Sequence, residues 1–367
     1  MFQDVCIIGA TGNVGRTLVR QIVEKSDIGS RLDHVPTRII GLGSSTHGLF
    51  HKKGINPEQA LEFSQRCYTC SFCAPSPSMY LLNEAKEHCS NLVFIDTTAL
   101  NRDMRKFHIE VISHSPFSVA TANKHPVASS AYLTFRELTA RYGRYAYSCS
   151  VMAGAEAVSI LQDMCDLRDS VTQIFGCFSG TNGLICSELH KRRAFSEILQ
   201  EAYALRYTEP DPRDDLSGMD VVRKLVVLVR TAGYNIRIRD VRVQPFIPQE
   251  SLGTGNVQAF LDQAHKLNDY FSRRVDEAES RGNVLRYVAR FGKPVEDSFS
   301  LSVGLEEVPA SSALGQLHGT RNRIVIVSKA YPEDSPYEVS APGAGLDITA
   351  QNIRRDLLYT HNGRGSS

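Results

Sequence analysis

The sequence predicts an α/β protein: a doubly wound parallel sheet followed by a second domain of different texture. Three observations predict it. Over the first 150 residues short apolar runs alternate with stretches of helical periodicity, which implies parallel strands joined by helical crossovers. Glycines at 9, 12 and 15 stand between the first run and the first helix. And 367 residues exceed one small core and suggest two domains.

The elements follow in order. Residues 5–8 form the first strand, Gly9-Ala10-Thr11-Gly12-Asn13-Val14-Gly15 follows, and Leu18, Val19, Ile22 and Val23 repeat at helical spacing. A second run, 38–42, precedes Gly43-Ser44-Ser45-Thr46. A third, 92–95, ends in Asp96-Thr97-Thr98, and a fourth, 117–120, ends in Thr121-Ala122-Asn123-Lys124. Ligands of such sheets sit at the carboxyl ends of the strands, where these residues fall. Beyond 150 the texture changes. Stretches 148–161 and 174–189 carry glycine-rich turns, while 194–205 reads as a helix, 219–230 as a buried helix and 257–280 as an amphipathic one. Residues 284–291 and 299–305 alternate like exposed antiparallel strands. The glycine-rich 341–345 precedes a helix over 349–359, and 363–367 reads as a frayed end.

Charge and composition exclude several classes. With 41 Lys and Arg against 40 Asp and Glu, a net +1 gives no electrostatic case for nucleic acid or a membrane surface. No apolar run approaches the roughly 18–20 residues that cross a bilayer. The chain starts directly on an apolar strand, without a basic-then-apolar leader. Its nine scattered cysteines read as free thiols in a reducing cytosol, so a cytoplasmic location is expected.

The glycine triplet suits a pyrophosphate: bare backbone permits close approach, and a helix N-terminus offers N–H groups and a positive dipole. A dinucleotide site is favoured over an ordinary tight βα turn, but the spacing, G-x-x-G-x-x-G, is one residue longer than the usual fingerprint and leaves open which glycine faces the phosphates. The second strand ends in Gly43-Ser44-Ser45-Thr46 with no carboxylate for a ribose 2′-hydroxyl, which favours NADP over NAD. Arg38 or His47 could supply charge to a 2′-phosphate.

Residues 207–224 carry the most information. Glu209, Asp211, Asp214 and Asp215 share a loop with Pro210 and Pro212, which stiffen it; the loop runs into a helix with Asp220 and Lys224 at i, i+4. Concentrated carboxylates suit an ammonium substrate or a cation, or form a solvated loop. Asp220 and Lys224 are either a surface ion pair or a partly buried acid able to protonate a developing alkoxide.

The residues so far resemble the homoserine dehydrogenases, particularly the dehydrogenase half of the bifunctional aspartokinase–homoserine dehydrogenases. The stretch 207–224 carries that resemblance, with 9–15, 96–98, 121–124, 151–155, 179–181 and 343–349 in support. It implies a Rossmann-like nucleotide domain over 1–147, an α+β substrate-binding and dimerisation domain over 148–315, and a segment 316–367 returning to the first. It implies reduction of L-aspartate 4-semialdehyde to L-homoserine with NADPH or NADH, a small amino-acid substrate and a homodimer. The length leaves no room for a kinase module, so a monofunctional short form is expected. By the resemblance Lys224 protonates the carbonyl oxygen, and Lys124 bridges cofactor and substrate. Glu209, Asp215 and Asp220 hold the substrate's ammonium or hydroxyl, while Gly180 and Thr181 contact its other end. Thr98 and Gly343 join the residues of the 9–15 loop at the cofactor.

The resemblance also implies a sodium ion or other monovalent cation on the backbone carbonyls of Val151 and Ala153. Ser148 stands where many members carry an acid, so a carboxylate ligand is expected to be missing, with Glu156 as a substitute. Two other functions are weighed: a weakly active NADP-binding homologue with a regulatory role, and a cysteine-dependent semialdehyde dehydrogenase using Cys149 or Cys177. Cys67, Cys70 and Cys73 have C-x-x-C-x-x-C spacing but no close fourth ligand, so free thiols are expected there rather than zinc. The basic run at 190–193 reads as a solvated helix end.

Overall fold

A computed structural model of the chain describes residues 2–25, 35–68, 71–100, 102–141, 143–253, 255–295 and 298–362. Two compact units emerge, Met1–Ala155 with Ala344–Ser367, and Glu156–Gly343. The expected frayed end at 363–367 lies outside the described residues.

The first unit begins β1 (Gln3–Ile8), α1 (Asn13–Glu24), β2 (Thr37–Gly43), β3 (His47–Phe50), α2 (Pro57–Ser64), β4 (Phe72–Cys73) and α3 (Pro77–His88). It continues with β5 (Val93–Asp96), α4 (Arg102–His114), β6 (Ser118–Thr121), α5 (His125–Ala128), α6 (Tyr132–Thr139) and β7 (Tyr145–Ala146). The second unit opens with α7 (Ala157–Asp166), β8 (Val171–Cys177), α8 (Gly180–Leu189), α9 (Phe195–Ala204), α10 (Pro212–Leu216) and α11 (Met219–Thr231). Then come β9 (Arg242–Val243), α12 (Val257–Gln263), α13 (Asn268–Ser280), β10 (Asn283–Val295), β11 (Ser298–Pro309), β12 (Arg321–Ser328) and β13 (Tyr337–Pro342). Helix α14 (Leu346–Asn362) rejoins the first unit.

The first sheet has the order β4-β3-β2-β1-β5-β6-β7. Strands β2, β1, β5, β6 and β7 are parallel; β3 and β4 extend the edge antiparallel. Strand order reverses at β1, between β2 and β5, so the carboxyl ends of β1 and β5 open a ligand crevice. The doubly wound Rossmann-like expectation holds. Val5, Cys6 and Ile7 are fully buried, as a strand covered on both faces requires. Leu18 and Val19 of α1 and Ala350, Ile353 and Leu357 of α14 complete the same core. Each of the Leu, Val and Ile side chains contributes roughly 1.5–3 kcal/mol by leaving water. Gln21 Nε2 fastens α14 by donating to the Asp347 carbonyl at 3.0 Å.

The second sheet runs β13-β12-β8-β10-β11-β9. Stretch 174–189 holds the end of β8, the turn at 178–179 and α8. Strands β10 and β11 pair antiparallel as expected, from Asn283 opposite Pro309. However, β10 lies inside the sheet, and Leu285, Tyr287, Val288, Ala289 and Phe291 are buried rather than alternating with solvent.

The compact units also differ from the expected domain limits. Residues 148–155 stay with the first unit because their turns pack beneath α14. Residues 321–342 supply β12 and β13 to the second sheet, since β12 buries Ile324, Val325, Ile326 and Val327 between β8 and β13; only 344 onward rejoins the first unit. Among the described residues no helix is long and apolar enough to cross a membrane.

Candidate active site

In the first unit the three glycines divide the work of the nucleotide loop. Gly9 has φ +83°, and a side chain there would also meet Thr97 Oγ1 and Thr98 Cγ2 at 2.9 Å. A Cβ on Gly15 would fall on the Gly9 carbonyl oxygen, so α1 reaches β1 only with glycine at that position. Gly12 is the exposed N-cap of α1. Beyond it the amides of Asn13, Val14 and Gly15 are first-turn N–H groups that no helical carbonyl satisfies. Of the three glycines, Gly12 is thus the one that lies open to solvent at the N-terminus of α1. Ala10 is fully buried, its amide donating to the Gly43 carbonyl at 3.0 Å, and Thr11 completes the turn. The cradle fits a pyrophosphate.

At the end of β2, Ser44 Oγ accepts from the His47 amide at 2.9 Å and closes the turn. Arg38 sits near the other end of β2, bound by Asp4 through Nε at 2.7 Å and Nη2 at 3.0 Å. Arg38 thus does not face the carboxyl-end crevice, contrary to one sequence expectation. His47 remains beside the turn, stacked on Tyr68 with ring centroids 4.1 Å apart.

Asp96 and Asn123 organise the ends of β5 and β6. Asp96 Oδ1 accepts from the Thr98 amide at 2.8 Å, and its Oδ2 lies 3.2 Å from His108 Nε2, itself fully buried. Asn123 Nδ2 donates to Thr98 Oγ1 at 3.2 Å and to the Leu100 carbonyl at 2.7 Å. Lys124 follows as N-cap of α5, half-buried. The sequence placed Asp96 and Asn123 at strand ends without a role; in the structure they fix Thr98, and His108, which the sequence did not single out, backs Asp96.

In the second unit Lys224 lies on the first turns of α11 and is 9% exposed. Its ammonium donates to the Phe178 carbonyl at 2.8 Å and pairs with Asp220 Oδ2 at 2.8 Å. The Asp220–Lys224 pair is therefore buried at its lysine end rather than a surface ion pair. The N-cap of α11 is Gly218, φ +76°, where a Cβ would fall on the Tyr287 hydroxyl.

The acidic loop is not uniformly available for a ligand. Asp211 caps α10 and is bound by Arg213, which holds its carboxyl below the ordinary range. Arg213 also donates to the Gly255 carbonyl at 2.8 Å, and Asp214 is exposed. Glu209, Asp215 and Asp220 remain. Asp215 Oδ2 accepts from the Glu209 amide at 2.8 Å, and burial pushes its carboxyl up to about 6. Thr181 donates to the Tyr207 carbonyl at 2.8 Å, and Asn182 Nδ2 to that of Asp215 at 3.3 Å, tying α8 to the loop. Gly180 begins α8, with Thr320 O 3.3 Å from the position of a Cβ. Gly343 ends the unit against Asn322, a fully buried amide whose Nδ2 and Oδ1 lack hydrogen-bond partners among the described residues.

The turn at 148–154 differs most from expectation. Met152 and Ala153 have φ +48° and +51°, a left-handed conformation that L residues rarely adopt. The Val151 carbonyl accepts from the Gly154 amide at 3.1 Å and that of Ala153 from Asn352 Nδ2 at 2.8 Å; Arg355 Nη2 donates to the Gly154 carbonyl. Ser148 Oγ donates to Asp356 Oδ2 at 2.7 Å, so a carboxylate is present after all, from α14. Glu156, the expected substitute, is an exposed N-cap of α7. A fixed guanidinium among these oxygens does not fit a resident metal ion. Among the described residues no group of three or more His, Cys, Asp or Glu is placed to hold one.

A family model described as homoserine dehydrogenase matches residues 157–358. The chain belongs to the homoserine dehydrogenase family. It is 32% identical to the bifunctional aspartokinase/homoserine dehydrogenase 2 of Escherichia coli strain K12 over 96% of its own length and 42% of that protein. This homoserine dehydrogenase relative thus spans less than half the length of that curated protein. Its fold is shared with a putative homoserine dehydrogenase from Archaeoglobus fulgidus, TM-score 0.75 at 22% identity, covering 97% of this chain and 99% of that one. It is shared also with a hyperthermophilic archaeal homoserine dehydrogenase in complex with NADPH, TM-score 0.73 at 18% identity, covering 99% and 98%.

Other sequence features fall into place around this family assignment. Cys149 and Cys177 are buried, and burial raises both thiols, that of Cys177 to about 12, so neither is the accessible thiolate a cysteine-dependent dehydrogenase needs. Cys67 and Cys73 are exposed, while Cys70 lies outside the described residues. The basic run is a helix end whose members pair with Glu188, Glu201, Asp276 and Glu279.

Proposed function

We propose that the chain interconverts L-aspartate 4-semialdehyde and L-homoserine, preferring NADP but able to use NAD. The observation that carries this reading is Lys224, a buried lysine held between a carboxylate and a main-chain carbonyl beside an acidic loop. When bound, the nicotinamide cofactor supplies the hydride. Gly9, Ala10, Thr11, Gly12, Asn13, Val14 and Gly15 hold its pyrophosphate, with Thr98, Lys124 and Gly343 as further contacts. The glycine cradle and the uncapped first turn of α1 support that assignment. No step is routed through a metal ion.

Lys224 donates a proton to the carbonyl oxygen as the alkoxide develops. Two of its three N–H donors already point at the Phe178 carbonyl and Asp220, which fixes the direction of the third. Asp220 orients the ammonium and is itself a substrate contact. Glu209 and Asp215 receive the substrate ammonium, while Gly180 and Thr181 line its other end. Lys124, held beside the Asn123 network, assists the proton transfer. A homodimer and a cytoplasmic location complete the proposal; the family and the free thiols of the described cysteines support them.

Following NADPH oxidation on addition of aspartate semialdehyde tests the reading. Turnover independent of phosphate supports it. Phosphate-dependent NADP⁺ reduction, or nucleotide binding without turnover, would replace it by one of the two alternatives.

A further inference from the structure

The turn at 148–154 carries a charge arrangement that the reaction above does not use. Arg355 Nη2 donates to the Gly154 carbonyl, lies 3.4 Å from Ser148 Oγ and 3.9 Å from Asp356 Oδ1. One guanidinium nitrogen is thus surrounded by a main-chain carbonyl, a hydroxyl and a carboxylate, the oxygen set a small cation would take. The neighbouring Ala153 carbonyl is occupied by Asn352 Nδ2 at 2.8 Å. Both donors project from α14, and Asp356 is 1% exposed. The left-handed backbone at Met152 and Ala153 turns these carbonyls toward α14.

We propose that the Arg355 guanidinium takes the place of a monovalent cation at this turn, so that the positive charge gathering its oxygens is built into the chain. A covalently held charge needs no ion from solution and loses no affinity when ions are dilute. Its geometry is fixed by packing rather than by mass action. The protein should therefore be indifferent to the identity of the salt cation. It should become responsive when the guanidinium is removed and the oxygens Gly154 O, Ser148 Oγ and Asp356 Oδ1 are left facing one another.

The test compares choline chloride, NaCl and KCl at equal ionic strength, which holds general screening constant. The full chain is read by thermal unfolding and by turnover. Wild type is expected to show the same melting temperature and rate in all three salts. Arg355→Met is expected to melt several degrees lower in choline and to regain most of that loss, with its rate, in NaCl or KCl. Arg355→Lys, which keeps a positive charge, should stay indifferent. If Arg355→Met does not fold, Arg355→Gln, which keeps an N–H donor without the charge, carries the same comparison. A wild type stabilised or activated by Na⁺ or K⁺ over choline would overturn the proposal, and so would uncharged variants as indifferent as wild type. Melting does not depend on the proposed reaction. An inactive protein with these salt responses would sink that reaction and leave this inference standing.

Discussion

The Lys224 ammonium lies 2.8 Å from Asp220 Oδ2, one turn earlier on the same helix, and 2.8 Å from the Phe178 carbonyl oxygen. Both partners lie at element ends, Asp220 in the first turn of α11 and Phe178 just past β8. A flexible four-carbon side chain is thereby confined to one direction, which removes an entropic cost from the proton transfer proposed for it.

The nucleotide loop separates two effects of one kind of substitution. Gly15→Ala places a methyl on the Gly9 carbonyl oxygen, so it should destabilise the first unit by roughly 1–3 kcal/mol and abolish NADPH binding. Gly12→Ala meets only Gly9 O, at 3.2 Å, so it should keep a near wild-type melting temperature while raising the KM for NADPH. Thermal unfolding and NADPH titration of both variants check this. Equal losses of stability would contradict it.

The role proposed for Asp215 predicts a pH dependence of substrate binding. Burial pushes its carboxyl up to about 6, so protonation below that pH removes a negative charge from the loop. The KM for aspartate semialdehyde should climb as pH falls through 6, and Asp215→Asn should show a high KM with little pH dependence across the same range. A wild-type KM flat from pH 5 to 8, on the order of the range in which the group titrates, would remove Asp215 from the site.

Asp356 sets one on stability. Burial raises its carboxyl to about 6, above the ordinary value near 4, so the native state binds the proton more tightly than the unfolded chain. Its stabilising contribution is complete below about pH 4 and is lost as pH rises through 6. Asp356→Asn should abolish this component, on the order of 3 kcal/mol, between those limits. Urea unfolding of both proteins at several pH values measures it, and parallel pH profiles would contradict the assignment.

The doubly wound sheet is legible in the sequence because β1, β2, β5 and β6 each carry a short, mostly apolar run followed by glycine or polar residues. Strands β3 and β4 are not: β3 reads His-Gly-Leu-Phe, with no continuous apolar run, and β4 has only two residues. The interior position of β10 is hidden by Arg286, a polar residue in its midst that is nonetheless 4% exposed because carbonyls of Leu314, Gly315 and Leu317 receive its guanidinium. At the site, Lys224 and Asp220 are legible through helical spacing. The Phe178 carbonyl is not, because a main-chain acceptor leaves no residue signature. Asp356 escapes for another reason: it meets Ser148 across 208 positions of sequence, and only the packing of α14 joins them.

The most direct test of the account is the turnover of Lys224→Ala with aspartate semialdehyde and NADPH, measured beside its NADPH affinity and melting temperature. Loss of a positioned proton donor predicts a kcat lower by roughly 10²–10⁴-fold with NADPH binding retained. A folded variant whose kcat stays within about threefold of wild type would contradict the assignment of Lys224 as the acid, since general acid catalysis accounts for far more than that.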